Sequence, residues 1–168
     1  MPGSPAPLVS IVMASESDLP FMKDAADILK EFGIPYETRI MSAHRTPDLA
    51  HEYARTLMDR GLQVVIAAAG GAAPLAGIIA ALTPLTVIGV PIVTDMMGGL
   101  DSLLSMVQMP GGVPVATVSA NKAGPRNAAL LAAQILGVRD PAIRNRVANY
   151  KASLARKGAE VDQKMRGV

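Results

Sequence analysis

The stretch Gly61-Leu-Gln-Val-Val-Ile-Ala-Ala-Ala-Gly-Gly-Ala-Ala-Pro-Leu-Ala-Gly-Ile-Ile-Ala-Ala-Leu-Thr-Pro-Leu-Thr-Val-Ile-Gly-Val-Pro-Ile-Val-Thr94 runs for 34 residues without a charge. Two readings compete for it. A run this long and apolar can cross a bilayer as a helix. However, Gly70-Gly71, Pro74 and Pro84 interrupt it, and Gly and Pro punctuate local structure. It divides into a strand over Gln63–Ala68, a glycine turn, a short helix over Pro74–Leu82 and a strand over Thr86–Val90 closed by Pro91. Uncharged strands of this kind suit a parallel sheet covered on both faces. The stretch therefore predicts a soluble α/β domain with no membrane partner.

The same alternation continues on either side. Leu8–Met13 is an apolar, β-branched run. Asp18–Phe32 has helical spacing, with Phe21, Ala25, Ile28, Leu29 and Phe32 on one side, and Gly33 stands where a helix stops. Tyr36–Met41 alternates like a strand. Pro47–Arg60 reads as a helix with Thr46 as candidate cap and Gly61 after its end. Downstream follow a helix over Asp101–Val107, a fifth strand over Val113–Val118, an Ala-rich helix over Gly124–Leu136 and a polar helix from Asp140 to about Met165. Strands alternating with helices predict a three-layer, flavodoxin-like, doubly wound five-stranded parallel sheet with a C-terminal helix. The expected organisation is a flexible tail over 1–7, an α/β domain over 8–139 and a helical extension over 140–168. Met1–Pro7 has no basic region followed by an apolar run, so no signal peptide is expected.

Composition bounds the rest. A chain of 168 residues and 17.4 kDa is one domain, and folding at this size buries roughly 68–70% of the unfolded surface. Cysteine is absent, which excludes a disulfide framework, a thiolate zinc site and a Cys nucleophile, and fits a reducing compartment. With 50% hydrophobic and 18% charged residues, extensive disorder is excluded. A net charge of +2, three Tyr, two Phe and no Trp argue against nucleic acid as a partner. The core must then be packed with Ala, Val, Ile, Leu and Met. The helices Pro74–Leu82 and Asn127–Leu136 carry small residues on several faces, as buried helices do. One small sheet offers limited burial for both, so a subunit interface is expected.

In doubly wound sheets ligands bind outside the carboxyl ends of the strands, so the loops that follow strands carry the chemistry. In Ala14–Asp18, serine hydroxyls and free N–H groups at a helix start suit a phosphate or another anion. Asp18 suits sugar hydroxyls. Alternatively, Ser17 or Asp18 only caps the helix. In Ser42–Pro47, Arg45 can grip a phosphate bidentately, and His44 can move a proton near neutral pH. A plain turn has little use for Ser, His and Arg together. His51, the other histidine, reads as a surface residue without a role. In Ala69–Leu75, two glycines and small residues permit close backbone approach to a ligand, or else tight helix–strand packing. There is no GxGxxG or Walker pattern, which disfavours dinucleotide and ATP sites. Asp95 and Lys122, the charged residues of the later loops, are expected to be exposed. No HxxxH or paired-carboxylate spacing suggests a metal site.

Together, Ser15-x-Ser17-Asp18, Ser42-Ala-His-Arg-Thr-Pro47, Ala69-Gly-Gly-Ala-Ala73, Gly89-Val-Pro91, Gly99-Leu-Asp-Ser-Leu-Leu-Ser105, Gln108-Met-Pro-Gly-Gly-Val-Pro-Val-Ala-Thr117 and Asn127–Leu136 resemble the family of N5-carboxyaminoimidazole ribonucleotide mutases of purine biosynthesis. The likeness runs from about Val9 to Val138. It implies a cytoplasmic, flavodoxin-like homo-octamer with active sites at subunit junctions and no metal, biotin, ATP or other cofactor. The implied substrate is an aminoimidazole ribonucleotide derivative. The implied reaction moves a carboxylate from the exocyclic nitrogen to C4 by decarboxylation and recapture of CO2. By the same resemblance, His44 is the general acid/base. Ser15, Ser42 and Arg45 hold the 5′-phosphate, and Ser17 and Asp18 the ribose. Gly70, Gly71, Ala72 and Ala73 face the carboxylate or CO2. The chain departs from the family's usual residues at Ala14 (usually Gly), at Pro74-Leu75 (usually His-Leu), at Thr94–Met97 and at Ser119–Lys122. These departures bear on the substrate and leave the fold and phosphate site intact. Two other readings stand beside the mutase: a paralogous carboxylase or decarboxylase of another heterocyclic nucleotide, and a non-catalytic nucleotide-phosphate binder. Retention of His44 argues against the binder.

Overall fold

The computed structural model describes residues 5–167. Of the expected tail, Met1–Ser4 lie outside the described residues, and Pro5–Pro7 lead without regular structure into the first strand. Strands β1 (Val9–Met13), β2 (Tyr36–Ile40), β3 (Val64–Ala69), β4 (Thr86–Pro91) and β5 (Ala116–Thr117) alternate with helices α1 (Leu19–Glu31), α2 (Pro47–Thr56), α3 (Leu75–Leu82), α4 (Leu100–Val107) and α5 (Gly124–Leu136), and α6 (Pro141–Arg166) follows. Every strand pairing is parallel, and the order across the sheet is β2-β1-β3-β4-β5. The chain steps outward from β1 to β2, then returns past β1 to β3. This is the expected flavodoxin-like order, with its reversal between β1 and β3.

β3 explains the absence of charge in its stretch. All six of its residues are buried, and successive side chains point to opposite faces. Val64, Ile66 and Ala68 pack towards α5 on one side, in a core shared with residues of α1 and α6. Val65, Ala67 and Ala69 meet α2, α3 and Met106 of α4 on the other. A charge anywhere along this strand would be buried without a partner, at a cost of several kcal/mol. On α5, Ala128, Ala129, Ala132 and Ala133 are fully buried, and these short side chains let α1 lie close alongside. α3 buries Leu75, Ala76 and Ile79, while Ile78, Ala80 and Leu82 are only half-buried and Ala81 is exposed. The sheet thus covers one stripe of α3 and leaves the rest open. No helix among the described residues is long and apolar enough to cross a membrane.

The glycine stops occur where expected. Gly33 (φ +62°) and Gly61 (φ +83°) adopt left-handed backbone, which costs glycine little. After Gly33 the Ile34 N–H donates to Leu29 O, and after Gly61 the Leu62 N–H donates to Leu57 O, the six-residue closure of a Schellman motif. Regular α2 ends at Thr56, short of the expected Arg60, and turns carry the chain on to Gly61. The fifth strand is also shorter than Val113–Val118. Pro114 lacks the N–H that a ladder needs, and only Ala116 and Thr117 pair with β4. α6 starts at Asp140, whose carboxylate accepts from the Ala142 and Ile143 N–H groups. Ile143 and Val147 are buried, and Tyr150 meets Phe32 edge-to-face at 5.8 Å. Beyond Ser153 every described residue of α6 is exposed.

Candidate functional site

The carboxyl ends of the parallel strands lie along one edge of the sheet, and in doubly wound sheets ligands bind there beside the reversal in strand order, which here falls between β1 and β3. Bonds that extend the ladder keep the loops aligned as they leave it. Ala14 N–H donates to Ala68 O (3.1 Å), Met41 N–H to Met13 O (2.9 Å) and Ile92 N–H to Ala69 O (2.9 Å). The loops after β1, β2 and β3 therefore start side by side.

In the first loop Ser15 caps a short 3₁₀ turn, Glu16–Asp18. Its hydroxyl oxygen accepts from Ser17 N–H (3.3 Å), and its own N–H donates to Asp18 Oδ2 (3.2 Å). This reciprocal pair is a capping box. Asp18 itself occupies the N-cap position of α1, as one of the two expected caps, but makes no side-chain capping bond to that helix; Ser15 caps the 3₁₀ turn before it. The Ser17 hydroxyl lies 2.9 Å from Ser15 Oγ and 3.4 Å from Asp18 Oδ1. Asp18 is only 7% exposed. Burial raises its pKa, and the bonds from Ser15 N–H and Ser17 offset part of that rise. The loop thus presents two hydroxyls above a fixed, buried acid.

The second loop is pinched shut by Thr46. Its hydroxyl donates to Ser42 O (2.9 Å) and accepts from Ser42 N–H (3.1 Å). Expected as a helix cap, Thr46 makes no capping bond, because its hydroxyl is spent on closing the loop. The Ser42 hydroxyl accepts from Arg45 N–H (3.2 Å). The Arg45 guanidinium reaches across to Ala14 O (3.4 Å). This contact brings a cation from the second loop onto the first, beside the serines. His44 and Arg45 are both exposed, and Ala43 before them is buried. His51 is half-buried within α2.

In the third loop Gly71 (φ +69°) and Ala73 (φ +39°) both have left-handed backbone. Ala73 is buried, and Ala72 is exposed. A Cβ on Gly70 would lie 3.3 Å from Thr94 Cγ2 and 3.5 Å from Ile92 Cβ, so this glycine packs against the segment after β4 and not against a helix. Gly71 N–H donates to Ser102 Oγ (3.0 Å), and Ser105 Oγ lies 3.4 Å from Gly71 O. Sequence reasoning gave neither serine a role. Their spacing of three on α4, which puts both on one face, was the available signal. Asp95 and Lys122 are exposed, as expected. Lys122 follows β5, at the far edge of the sheet from β1 and β2, so it stands apart from the other candidates. Among the described residues no group of three or more His, Asp or Glu side chains is placed to hold a metal ion.

A cavity of about 340 Å³ lies elsewhere, lined by Gln134, Gly137, Val138, Arg144, Val147, Ala148 and Lys151. Its lining comes from the end of α5 and from α6, away from the strand-end loops.

Residues 8–157 match the family described as AIR carboxylase. The N5-carboxyaminoimidazole ribonucleotide mutase of Pyrococcus horikoshii is 58% identical over 157 residues, covering 94% of this chain and 88% of that protein. The mutase of Bacillus subtilis is 60% identical over 134 residues, 80% of this chain and 83% of that one. The crystal structure of Treponema denticola PurE superposes with a TM-score of 0.85 at 36% identity, covering 94% of this chain and 98% of that chain.

Proposed function

The chain belongs to the AIR carboxylase family, and we propose that it is a mutase of purine biosynthesis that converts N5-carboxyaminoimidazole ribonucleotide to 4-carboxy-5-aminoimidazole ribonucleotide. One observation carries this reading. The Ser15–Asp18 and Ser42–Arg45 loops meet through Arg45 at the carboxyl ends of the neighbouring strands β1 and β2, next to the reversal between β1 and β3, in a chain 58% identical to such a mutase over 94% of its length.

The chemistry assigned to each residue balances. The bond from the exocyclic nitrogen to the carboxylate carbon breaks, releasing CO2, and the nitrogen takes a proton from His44. C4 of the ring then attacks the CO2 carbon, and His44 removes the proton from C4. One carbon–nitrogen bond is exchanged for one carbon–carbon bond with no net gain or loss of protons. No oxidant or nucleoside triphosphate enters that balance. Arg45 supplies the charge for the 5′-phosphate, and Ser15 and Ser42 add hydroxyl donors. Ser17 and Asp18 accept the ribose, Asp18 being held fixed by its bonds to the loop. The Gly70–Ala73 backbone faces the carboxylate and then CO2, where exclusion of water keeps the gas from escaping. In a single chain His44 and Arg45 are exposed. A neighbouring copy completes the pocket, in a cytoplasmic homo-octamer with sites at subunit junctions.

Two products distinguish the possibilities. Purified protein is mixed with N5-carboxyaminoimidazole ribonucleotide, and the 4-carboxy product is followed against free aminoimidazole ribonucleotide. The 4-carboxy product is expected to dominate. His44→Asn is expected to lower kcat by about 10²- to 10⁴-fold, the usual contribution of a positioned acid/base, while substrate affinity changes little. Pure decarboxylation by the unaltered chain would overturn the mutase and favour the paralogue that the Pro74 departure suggests.

A further inference from the structure

We infer that Asp101 and Ser102, at the start of α4, are positioning residues: they occupy the Gly71 N–H, fix the shape of the Gly70–Ala73 loop, and leave Gly70 and Ala72 as its free amide donors. This deepens the proposed function, because it rests on that loop facing the carboxylate.

Ser102 is fully buried. Its oxygen lies 3.0 Å from Gly71 N and 3.4 Å from Asp101 Oδ1. A hydroxyl has one proton to give, and an ionised carboxylate can only accept. The Ser102 proton therefore goes to Asp101, and its lone pair takes the Gly71 N–H. Asp101 is fixed in turn by the Thr94 hydroxyl, which donates to Oδ1 at 2.7 Å. That bond holds its carboxyl below the usual carboxylate range, so it remains an acceptor at neutral pH.

A second serine completes the clamp. The Ser105 hydroxyl donates its one proton to Asp101 O (2.9 Å) and lies 3.4 Å from Gly71 O. Gly71 is thus held at its N–H by Ser102, and the Ser105 hydroxyl, one helical turn on, stands beside its carbonyl. Two residues on, Ala73 is a non-glycine residue at φ +39°. Such backbone costs of order 1–3 kcal/mol and persists only where the surroundings fix it. Ala73 N–H is itself engaged, donating to Gly70 O (3.3 Å). With Gly71 and Ala73 taken, the amides of Gly70 and Ala72 are left to meet the two oxygens of a carboxylate. Ser102 never touches substrate; it acts through Gly71.

The test uses the full-length protein and two readouts. Amide hydrogen exchange across Ala69–Pro74 reports the clamp without any substrate. Ser102→Ala and Asp101→Ala are each expected to speed exchange of one amide there by about tenfold, the loss of one hydrogen bond. The ratio of free aminoimidazole ribonucleotide to 4-carboxy product reports whether CO2 is held. It is expected to rise about tenfold in the same two variants, with KM little changed, since one bond of this size is lost. Asp101→Asn keeps an acceptor oxygen in place and is expected to restore both readouts. If Ser102→Ala does not fold, the Asp101 pair decides alone. Unchanged exchange in Asp101→Ala overturns the clamp. Faster exchange with an unchanged product ratio overturns the positioning role. If the unaltered protein forms no 4-carboxy product, the mutase reading fails and the exchange comparison still decides the clamp.

Discussion

Asp18 shows how one residue can be poor for folding and good for binding. Burial raises its pKa beyond what its hydrogen bonds recover, so the folded protein binds the proton more tightly than the unfolded chain does. Its favourable contribution is complete below the ordinary value of 3.8 and is lost as pH rises through the raised folded value. At pH 7 the carboxylate is therefore a net cost to the fold. Asp18→Asn is expected to raise the thermal midpoint at pH 7, with the gain shrinking towards pH 4. It is also expected to weaken ribonucleotide binding by about 10- to 100-fold, the worth of hydrogen bonds to a charged group. A lower midpoint at pH 7 would contradict the burial argument. The candidate residues of this loop were legible because Ser15, Ser17 and Asp18 sit between an apolar run and a helix. Which of them caps was not, because three capping residues stand within four positions and only the backbone chooses. Ser102 was hidden for a different reason. Its partner is Gly71, 31 residues away, and local sequence cannot report a bond made by folding.

At the scale of elements, boundaries set by local chemistry could be read and those set by neighbours could not. Gly33 and Gly61 end their helices because left-handed backbone is cheap for glycine, a signal carried by the residue itself. β5 failed as a six-residue strand because Pro114 breaks a ladder on an edge strand. Gly124 sets the two kinds of information against each other. Helix propensity favours Ala over Gly by up to about 1 kcal/mol inside a helix, and Gly124 is the first residue of α5. Packing says the reverse: a Cβ there would lie 2.3 Å from Ser119 O, a backbone atom in the loop after β5. No rotamer can relieve that contact. Gly124→Ala is expected to destabilise by about 3 kcal/mol, the upper range for overpacking, seen as a lower thermal midpoint at fixed protein concentration. Gly158→Ala, on the exposed half of α6 with nothing within 4 Å of the added carbon, is expected to stabilise. If both changes stabilise, the close contact at Gly124 is not felt.

For the whole molecule, the doubly wound sheet was written in Gly61–Thr94, where burial on two faces removes every charge. The surface that a neighbour covers was not written there. It depends on which apolar side chains remain outside once the layers close. Around the connection from β4 to α4, Val93, Met96, Met97, Leu104 and Val107 are all exposed, Met97 by 74%. Exposed apolar patches of this kind mark sites of interaction. Met97 is the informative member, since its φ of +49° is left-handed. That conformation is unfavourable for methionine and better tolerated by aspartate. In an isolated subunit Met97→Asp should therefore be neutral or stabilising. In the octamer proposed above it would place a charge in an apolar contact. Light scattering is expected to give about eight times 17.4 kDa for the unaltered protein. Met97→Asp is expected to give a smaller species with unchanged helix content and little mutase activity, because the pocket over His44 is then left open to water. A variant that keeps both mass and activity would remove this loop from the interface. An unaltered protein that is monomeric and fully active would overturn the shared site, and the exposed loops of one chain would have to exclude water by themselves.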